Sequence, residues 1–273
     1  MENIMKREEF SNKVTITSVE NKPLIIPKIV FIVPCRDRQQ HQEFFSSHMR
    51  MILEDYDKQQ YKIYYINQKD ERSFNRGGIK NIGFLMVKEK YPNHYKDITL
   101  VFNDVDTMPY TKNLIDYNTK SGIVKHFYGY KFALGGIVSI KASDFEKTNG
   151  FPNFWAWGYE DNMLKNRVVN IGLTINYNNF YKIHDKNILQ MKDGFNKIIN
   201  RKEYDAYMRN TKSGINDIRN LKYIVNEDTG LVDVTMFDVD REYNKDEIIL
   251  YDIRRGNKPF KKGRQSMMKM HML

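Results

Sequence analysis

Leu100-Val101-Phe102-Asn103-Asp104-Val105-Asp106 decides how the rest of the chain is read. An apolar run rich in β-formers ends in two carboxylates two residues apart. A buried parallel strand has this signature. In an open α/β sheet, ligands bind just beyond the carboxyl ends of the strands. The pattern therefore sets Asp104 and Asp106 at the lip of a pocket. Their hard oxygens suit Mg²⁺ or Mn²⁺, and such an ion can carry a diphosphate. A plain surface turn after a strand has the same local pattern. The choice rests on what else reaches that edge.

Working outward, Lys28-Ile29-Val30-Phe31-Ile32-Val33 reads as a strand stopped by Pro34, followed by the charged loop Cys35-Arg36-Asp37-Arg38. Phe44, Phe45, Met49, Ile52 and Leu53 recur at helical spacing and predict an amphipathic helix over about 39–55. Tyr61 to Ile66 is a second strand. A helix opens near Phe74-Asn75-Arg76 and runs to about Lys90, with Ile79, Ile82, Leu85 and Met86 facing inward and Tyr91-Pro92 closing it. Strand, helix, strand, helix, strand with short links argues a parallel sheet with right-handed crossovers. All three strand exits then share one edge. That edge collects Arg36 and Arg38, Phe74 and Arg76, and Asp104 and Asp106. Guanidinium forks bind phosphate oxygens bidentately, a metal neutralises others, and an aromatic ring such as Phe74 can stack on a base. The set suits a nucleotide diphosphate.

Beyond Asp106 the pattern becomes irregular and aromatic. Tyr128 to Ile140 contains the pair Gly135-Gly136 at the start of a strand, where missing side chains allow a ligand close to the backbone. Asn149-Gly150-Phe151-Pro152-Asn153-Phe154-Trp155-Ala156-Trp157-Gly158-Tyr159-Glu160-Asp161-Asn162 holds both tryptophans of the chain, two apart, and then two adjacent acids opening a helix over about 161–171. Aromatic faces beside carboxylates suit a sugar, and a carboxylate there can take the proton of an attacking hydroxyl. A capped helix start with two core tryptophans is the plainer alternative. Leu173 to Tyr177 and Phe180 to Asp185 are short apolar elements; a lone histidine is usually a surface or core residue, and at such an exit His184 is also a candidate nitrogen donor for the same metal. Residues 185–210 are charged and without clear period, and read as a long loop or lid. Leu221 to Val225 and Leu231 to Val239 read as a terminal hairpin. A second Asp-x-Asp, Asp238 and Asp240, ends it and carries little weight.

At this point five ordered blocks resemble the β1,4-galactosyltransferase family. They are Pro34-Cys35-Arg36-Asp37-Arg38; Tyr65-Ile66-Asn67-Gln68 with Phe74-Asn75-Arg76 and Asn81-Ile82-Gly83-Phe84; Asn103-Asp104-Val105-Asp106; Gly135-Gly136; and Asn149 to Asn153 with Trp155, Trp157-Gly158 and Glu160-Asp161. The resemblance spans about residues 28–239. It implies a GT-A-type fold: an α/β architecture with a Rossmann-like, mostly parallel central sheet flanked by helices. It also implies transfer of a hexose from a UDP-sugar to a glycan or glycoconjugate hydroxyl, with inversion. By the same resemblance Asp106 and His184 hold Mn²⁺ (or Mg²⁺). Pro34, Arg36, Arg38, Phe74, Arg76, Asp104, Val105, Gly136 and Trp157 line the nucleotide-sugar site. Asp161 is the general base with Glu160 beside it, and Tyr130, Trp155, Tyr159 and Asn162 meet the acceptor.

Three departures from the family pattern stand out. Tyr159 and Asn162 replace a glycine and an acid around Glu160-Asp161. Ala133 stands where the animal enzymes carry a tyrosine that limits the donor pocket, so N-acetylgalactosamine joins galactose as a donor sugar. A further metal ligand of the family falls on Tyr181 or Lys182. Other readings stay open: a weak or inactive UDP-sugar- or glycan-binding module, a same-fold enzyme using UDP-glucose, and a metal nuclease, for which the tryptophan pair has no use.

The totals bound the rest. The chain of 273 residues is 41% hydrophobic and 13% aromatic, enough for a large core. No run of about 18 apolar residues predicts a membrane anchor, and the first residues lack a signal peptide's apolar segment. One cysteine, Cys35, excludes an internal disulfide. These features point to a soluble or cytoplasmic protein, in host cytoplasm or virion if its source is viral. Seven of the ten net positive charges lie between Arg254 and Leu273, a stretch without acids. The body is therefore not a nucleic-acid binder, and the basic end is a solvated tail or a contact for an acidic surface. The expected organisation is an arm over 1–25, a catalytic domain over 26–253 and a basic tail over 254–273.

Overall fold

Strand β1 (Ile29–Cys35) is buried along its whole length, as its unbroken apolar run requires. The computed structural model describes residues 25–192, 194–209, 212–256 and 259–260. The expected arm, except its last residue, and the tail beyond 260 lie outside the described residues. After β1 come α1 (Gln39–Ile52), β2 (Tyr61–Gln68), α2 (Arg76–Lys90) and β3 (Thr99–Asn103). Strand β1 lies between β2 and β3 and is parallel to both. Pairing with β3 ends at Ile32↔Phe102. Pro34, which has no N–H, therefore sits past the last residue flanked on both sides.

After β3 the chain makes β4 (Thr107–Pro109), β5 (Ile123–Gly129), β6 (Ile137–Lys141), α3 (Ala142–Lys147) and α4 (Glu160–Asn170). Next come β7 (Thr174–Asn176), β8 (Tyr181–Lys182), β9 (Ile188–Gln190), β10 (Asn196–Asn200), α5 (Arg201–Arg209), β11 (Arg219–Asn226), β12 (Leu231–Asp238) and β13 (Ile248–Asp252). The main sheet runs β11-β12-β2-β1-β3-β6-β5-β7, with β8 also on β5. Strand β6 is antiparallel to β3 and β5, while β7 and β8 run parallel to β5. The sheet is mixed, mostly parallel, and flanked by helices.

Two cores cover its faces. Val30 and Ile32 of β1 pack with Ile79, Ile82 and Phe84 of α2 and with Leu164 of α4. Ile29, Phe31 and Val33 point the other way, to Phe45, Met49 and Ile52 of α1. The alternation is the strand period of two. Each fully buried side chain of this size contributes about 1.5–3 kcal/mol.

The expected loop over 185–210 is replaced by β9, β10 and α5. Strand β9 pairs with β4, and β10 pairs with β13. These partners lie far away in sequence, so no local periodicity announces the strands. The expected terminal hairpin, β11–β12, is joined to the main sheet, because β12 runs parallel to β2. Asp240 is ion-paired to Arg219 and Asp238 accepts from Asn220, so that second Asp-x-Asp is structural.

Candidate active site

Arg76, the first residue of α2, is the hub where the expected site residues meet. Asn75 caps the helix by accepting from the Gly78 N–H, which fixes how Arg76 leaves the strand edge. Its Nη2 donates to Asp104 Oδ1. Its Nη1 donates to Glu160 Oε1 and, at 2.9 Å, to Asp161 Oδ2. One guanidinium thus ties the carboxylate after β3 to the two acids opening α4. Burial works against its charge, but Asp104, Asp161 and Glu160 more than offset this and hold it well above its ordinary value. One turn on, Lys80 Nζ lies 3.0 Å from Asp161 Oδ1 and 3.9 Å from Asp104 Oδ1. Burial pushes Asp161 up, yet Arg76 and Lys80 outweigh it and hold the carboxyl below the usual range. Glu160 goes the other way, raised first by burial and then by Asp161. Tyr159 precedes the helix at φ 71°, and both acids lie in its first turn, where the helix dipole favours anions.

The glycine pair joins these halves from behind. Asp104 N–H donates to the Gly136 carbonyl at 3.0 Å, and Leu134 N–H donates to the Asp161 carbonyl at 2.9 Å. Gly136 has φ 75°, and a Cβ there would strike the Tyr128 carbonyl. His126, buried on β5, lies 2.9 Å through Nε2 from the Tyr128 carbonyl and 3.0 Å from that of Gly135. The sequence reading missed this anchor.

Asp106 is raised to about 6, by burial first and then by Asp104, against the pull of Arg76 and Lys197. A buried carboxylate crowded by a second one is stabilised by a cation, so the Asp104–Asp106 pair fits a divalent metal. His184 is exposed and sits at φ 65° in the turn between β8 and β9. Its N–H donates to Tyr128 Oη at 3.4 Å, and Tyr128 in turn feels the charges of Asp106 and Asp104. Among the described residues, no three His, Cys, Asp or Glu side chains gather as a metal-holding group. The described geometry is a two-carboxylate half-site, with the expected ligand His184 outside it.

The remaining expected residues divide. Arg36 donates to the Arg72 carbonyl and pairs with Asp70 at 3.6 Å, so it braces the β2–α2 link rather than joining the Arg76 hub. Arg38 precedes α1, and its charge reaches Lys197 of β10. Pro34 and Val105 are buried, and Phe74 is partly buried against the α2-side core. Cys35 is buried, and burial pushes its thiol to about 12, so it is no nucleophile. Lys197, which also faces Asp104, Asp106 and Arg76, escaped the sequence reading because β10 did.

The two tryptophans part company. Trp157 is 41% exposed, and its N–H donates to the Ile198 carbonyl of β10 at 2.7 Å. Trp155, expected at the acceptor, is instead 2% exposed: its Nε1 donates to the Arg241 carbonyl at 2.7 Å and its ring stacks on Phe237. Arg72 covers that ring at 4.3 Å. Trp155 is a core residue because Phe237 of β12 and the Arg241 carbonyl beyond it supply its partners. Tyr130 is exposed and stacked on Phe132, whose carbonyl accepts from Asn162 Nδ2 at 3.2 Å. Tyr159 packs edge-on against Tyr204 and Phe260.

Two family models match the chain: the N-terminal region of glycosyl transferase group 7 over residues 11–118, and the N-terminal domain of galactosyltransferase over residues 122–191. The bovine β1,4-galactosyltransferase 1 is 29% identical over 216 residues, covering 73% of this chain and 51% of the relative. The chain belongs to the β1,4-galactosyltransferase family. The human β1,4-galactosyltransferase 6 is 32% identical over 159 residues, covering 54% of this member and 40% of its own length. The chain thus spans about half the length of the bovine relative. A Drosophila β1,4-galactosyltransferase 7 mutant, solved with manganese, UDP-Gal and xylobiose, superposes with TM-score 0.61 at 20% identity over 80% of this chain and 96% of its own. The catalytic domain of that Drosophila galactosyltransferase, with xylobiose, gives 0.59 at 22% identity over the same shares. The fold of this family member is therefore of the GT-A type. Among the described residues no helix is long and apolar enough to cross a membrane.

Proposed function

We propose that the chain is a metal-dependent inverting glycosyltransferase that moves a hexose from a UDP-sugar to a glycan hydroxyl. One observation carries this reading: Arg76 joins Asp104, on the metal side, to Glu160 and Asp161, on the acceptor side. One guanidinium thus brings the carboxylate beside a metal-bound diphosphate and the carboxylates that would meet a hydroxyl to the same point of the sheet edge. Asp106 and Asp104 would hold the metal, which when bound offsets the negative charge of the departing diphosphate.

The chain's own groups do the rest. Arg76, Arg38 and Lys197 supply cations for phosphate oxygens, Arg36 braces the loop behind them, and Phe74 and Val105 border the nucleotide. Asp161, kept ionised by its two cations, takes the acceptor proton. The acceptor oxygen forms its bond to the anomeric carbon from the face opposite the diphosphate. The bond from that carbon to the phosphate oxygen breaks, and its electron pair leaves with UDP. Glu160, whose charge burial disfavours, hydrogen-bonds sugar hydroxyls. Trp157 borders the donor sugar, and Tyr130, Tyr159 and Asn162 border the acceptor.

Ala133 favours a donor site open to an N-acetyl group as well as to galactose. The test is UDP release from a panel of UDP-sugars with Mn²⁺, with and without sugar acceptors. The reading expects release from UDP-galactose or UDP-N-acetylgalactosamine, abolished by chelation and lowered about 10²–10⁴-fold in Asp161→Asn with UDP binding kept. Turnover by Asp161→Asn at the wild-type rate would remove Asp161 as the base. Release from UDP-glucose alone would replace the sugar, and binding without release from any donor would make the chain a binding module.

A further inference from the structure

Lys80 is the only buried lysine among the described residues, at 1% exposure. Taking an ammonium out of water costs several kcal/mol unless partners compensate. Its partners are Asp161 Oδ1 at 3.0 Å, Asp104 Oδ1 at 3.9 Å and the face of Phe151 at 4.5 Å. The side chain is buried on α2, whose neighbouring residues Ile79 and Ile82 belong to the core. Arg76 differs: it is 18% exposed and spreads its hydrogen bonds over three carboxylates. The two oxygens of Asp161 are therefore held by different cations, Oδ1 by the buried one and Oδ2 by the accessible one. Gly135 leaves the space beside Oδ2 clear, since a Cβ there would collide with that atom.

We propose that Lys80 is a positioning residue, a buried ammonium that clamps Oδ1 of Asp161 and so makes Oδ2 the oxygen that receives the acceptor proton. The proposal rests on the reading of Asp161 as general base. Oδ2 becomes free when the incoming donor's phosphates draw Arg76 away, whereas Oδ1 keeps its partner throughout. The acceptor O–H bond then breaks toward Oδ2, and its electron pair forms the new bond to the anomeric carbon. A second consequence is electrostatic. The groups facing Asp161 are Arg76 and Lys80 from α2, Glu160 beside it on α4, and His126 from β5, which burial keeps neutral. With Arg76 drawn off, Lys80 is the cation that keeps Asp161 and Glu160 from sharing a proton.

The experiment uses the full chain carrying ¹³Cγ-aspartate, with the Asp161 signal assigned by its loss in Asp161→Asn. In Lys80→Met the titration midpoint of that signal moves up from its wild-type position. In the same variant kcat for acceptor-dependent UDP release falls by about tenfold or more, the loss typical of removing a supporting partner, while KM for the UDP-sugar stays unchanged. In the Asp161→Asn background, Lys80→Met costs nothing further, because both changes act through one carboxylate. Lys80→Gln keeps an N–H donor to Oδ1 without the charge; it retains more kcat than Lys80→Met and still moves the midpoint up. If Lys80→Met does not fold, Lys80→Gln decides by its midpoint. An unmoved midpoint in a folded variant overturns the proposal, as does an equal kcat loss with and without Asp161. A wild-type chain that releases no UDP from any donor would defeat the enzymatic reading, while the titration still tests the clamp.

Discussion

Arg76→Met removes the cation shared by Asp104, Glu160 and Asp161 while keeping the length and apolar stem of the side chain. Glu160 is 3% exposed, Asp161 17% and Asp104 23%, so water replaces only part of what is lost. Lys80 alone then faces three carboxylates. Removing one partner of a buried charge cluster costs about 3–5 kcal/mol. The pH dependence gives a sharper signature. In the wild type, Asp161 is held below its ordinary value, so its contribution is present above that value and lost as pH falls through the folded one. In the variant the crowded carboxylates hold protons more tightly folded than unfolded, and the sign reverses: stability is lost as pH rises. The penalty is therefore full near pH 8 and smaller near pH 5.5. Urea unfolding at both values, with chelator present and slopes compared, measures it. A penalty below about 1 kcal/mol, the scale of an exposed ion pair, or one equal at both pH values, would refute the hub.

Two further outcomes follow from the tryptophan pair and from α5. Trp155→Phe loses the Nε1 donor and leaves the Arg241 carbonyl unpaired, so it lowers stability by about 1–3 kcal/mol in thermal unfolding and leaves KM for the acceptor unchanged; Trp157→Ala does the opposite, lowering turnover with stability kept. Glu203 of α5 is raised to about 7, chiefly by burial, while it accepts the Trp155 N–H through both oxygens at 3.1 Å. A raised carboxyl gives stability that is present at acid pH and lost as pH rises through about 7. Glu203→Gln accordingly flattens the stability profile between pH 4.5 and 7 and stabilises at pH 8, by an amount on the order of 3 kcal/mol at most; an unchanged profile in chemical unfolding would show that Glu203 is not titrating there.

Much of this was legible from residue order alone. The β1-α1-β2-α2-β3 unit shows itself because strand and helix periods are local, and a shared crossover hand sends Arg76 and Asp104 to one edge. The acids opening α4 were equally visible, because helix starts carry their own signals. Lys80 was half legible: it stands four residues after Arg76, hence on the same face, but a lysine inside an apolar helix face reads as a solvated charge until its partner is seen. Strands β10 and β13 were not legible, since each gains its hydrogen bonds from a strand roughly 50 residues away in sequence, and neither carries a core pattern of its own.

The sequence by itself determined the family, the parallel half of the sheet and the chemical types available at its edge, because those depend on neighbours along the chain. Only the tertiary structure decided which of two tryptophans two residues apart faces solvent, which arginine reaches the carboxylates, and which cation holds which oxygen of Asp161. Those outcomes depend on contacts between segments 80 to 165 residues apart, such as Arg76 with Asp161 and Arg72 with the Phe237 carbonyl. Burial then sets how strongly each charge is felt.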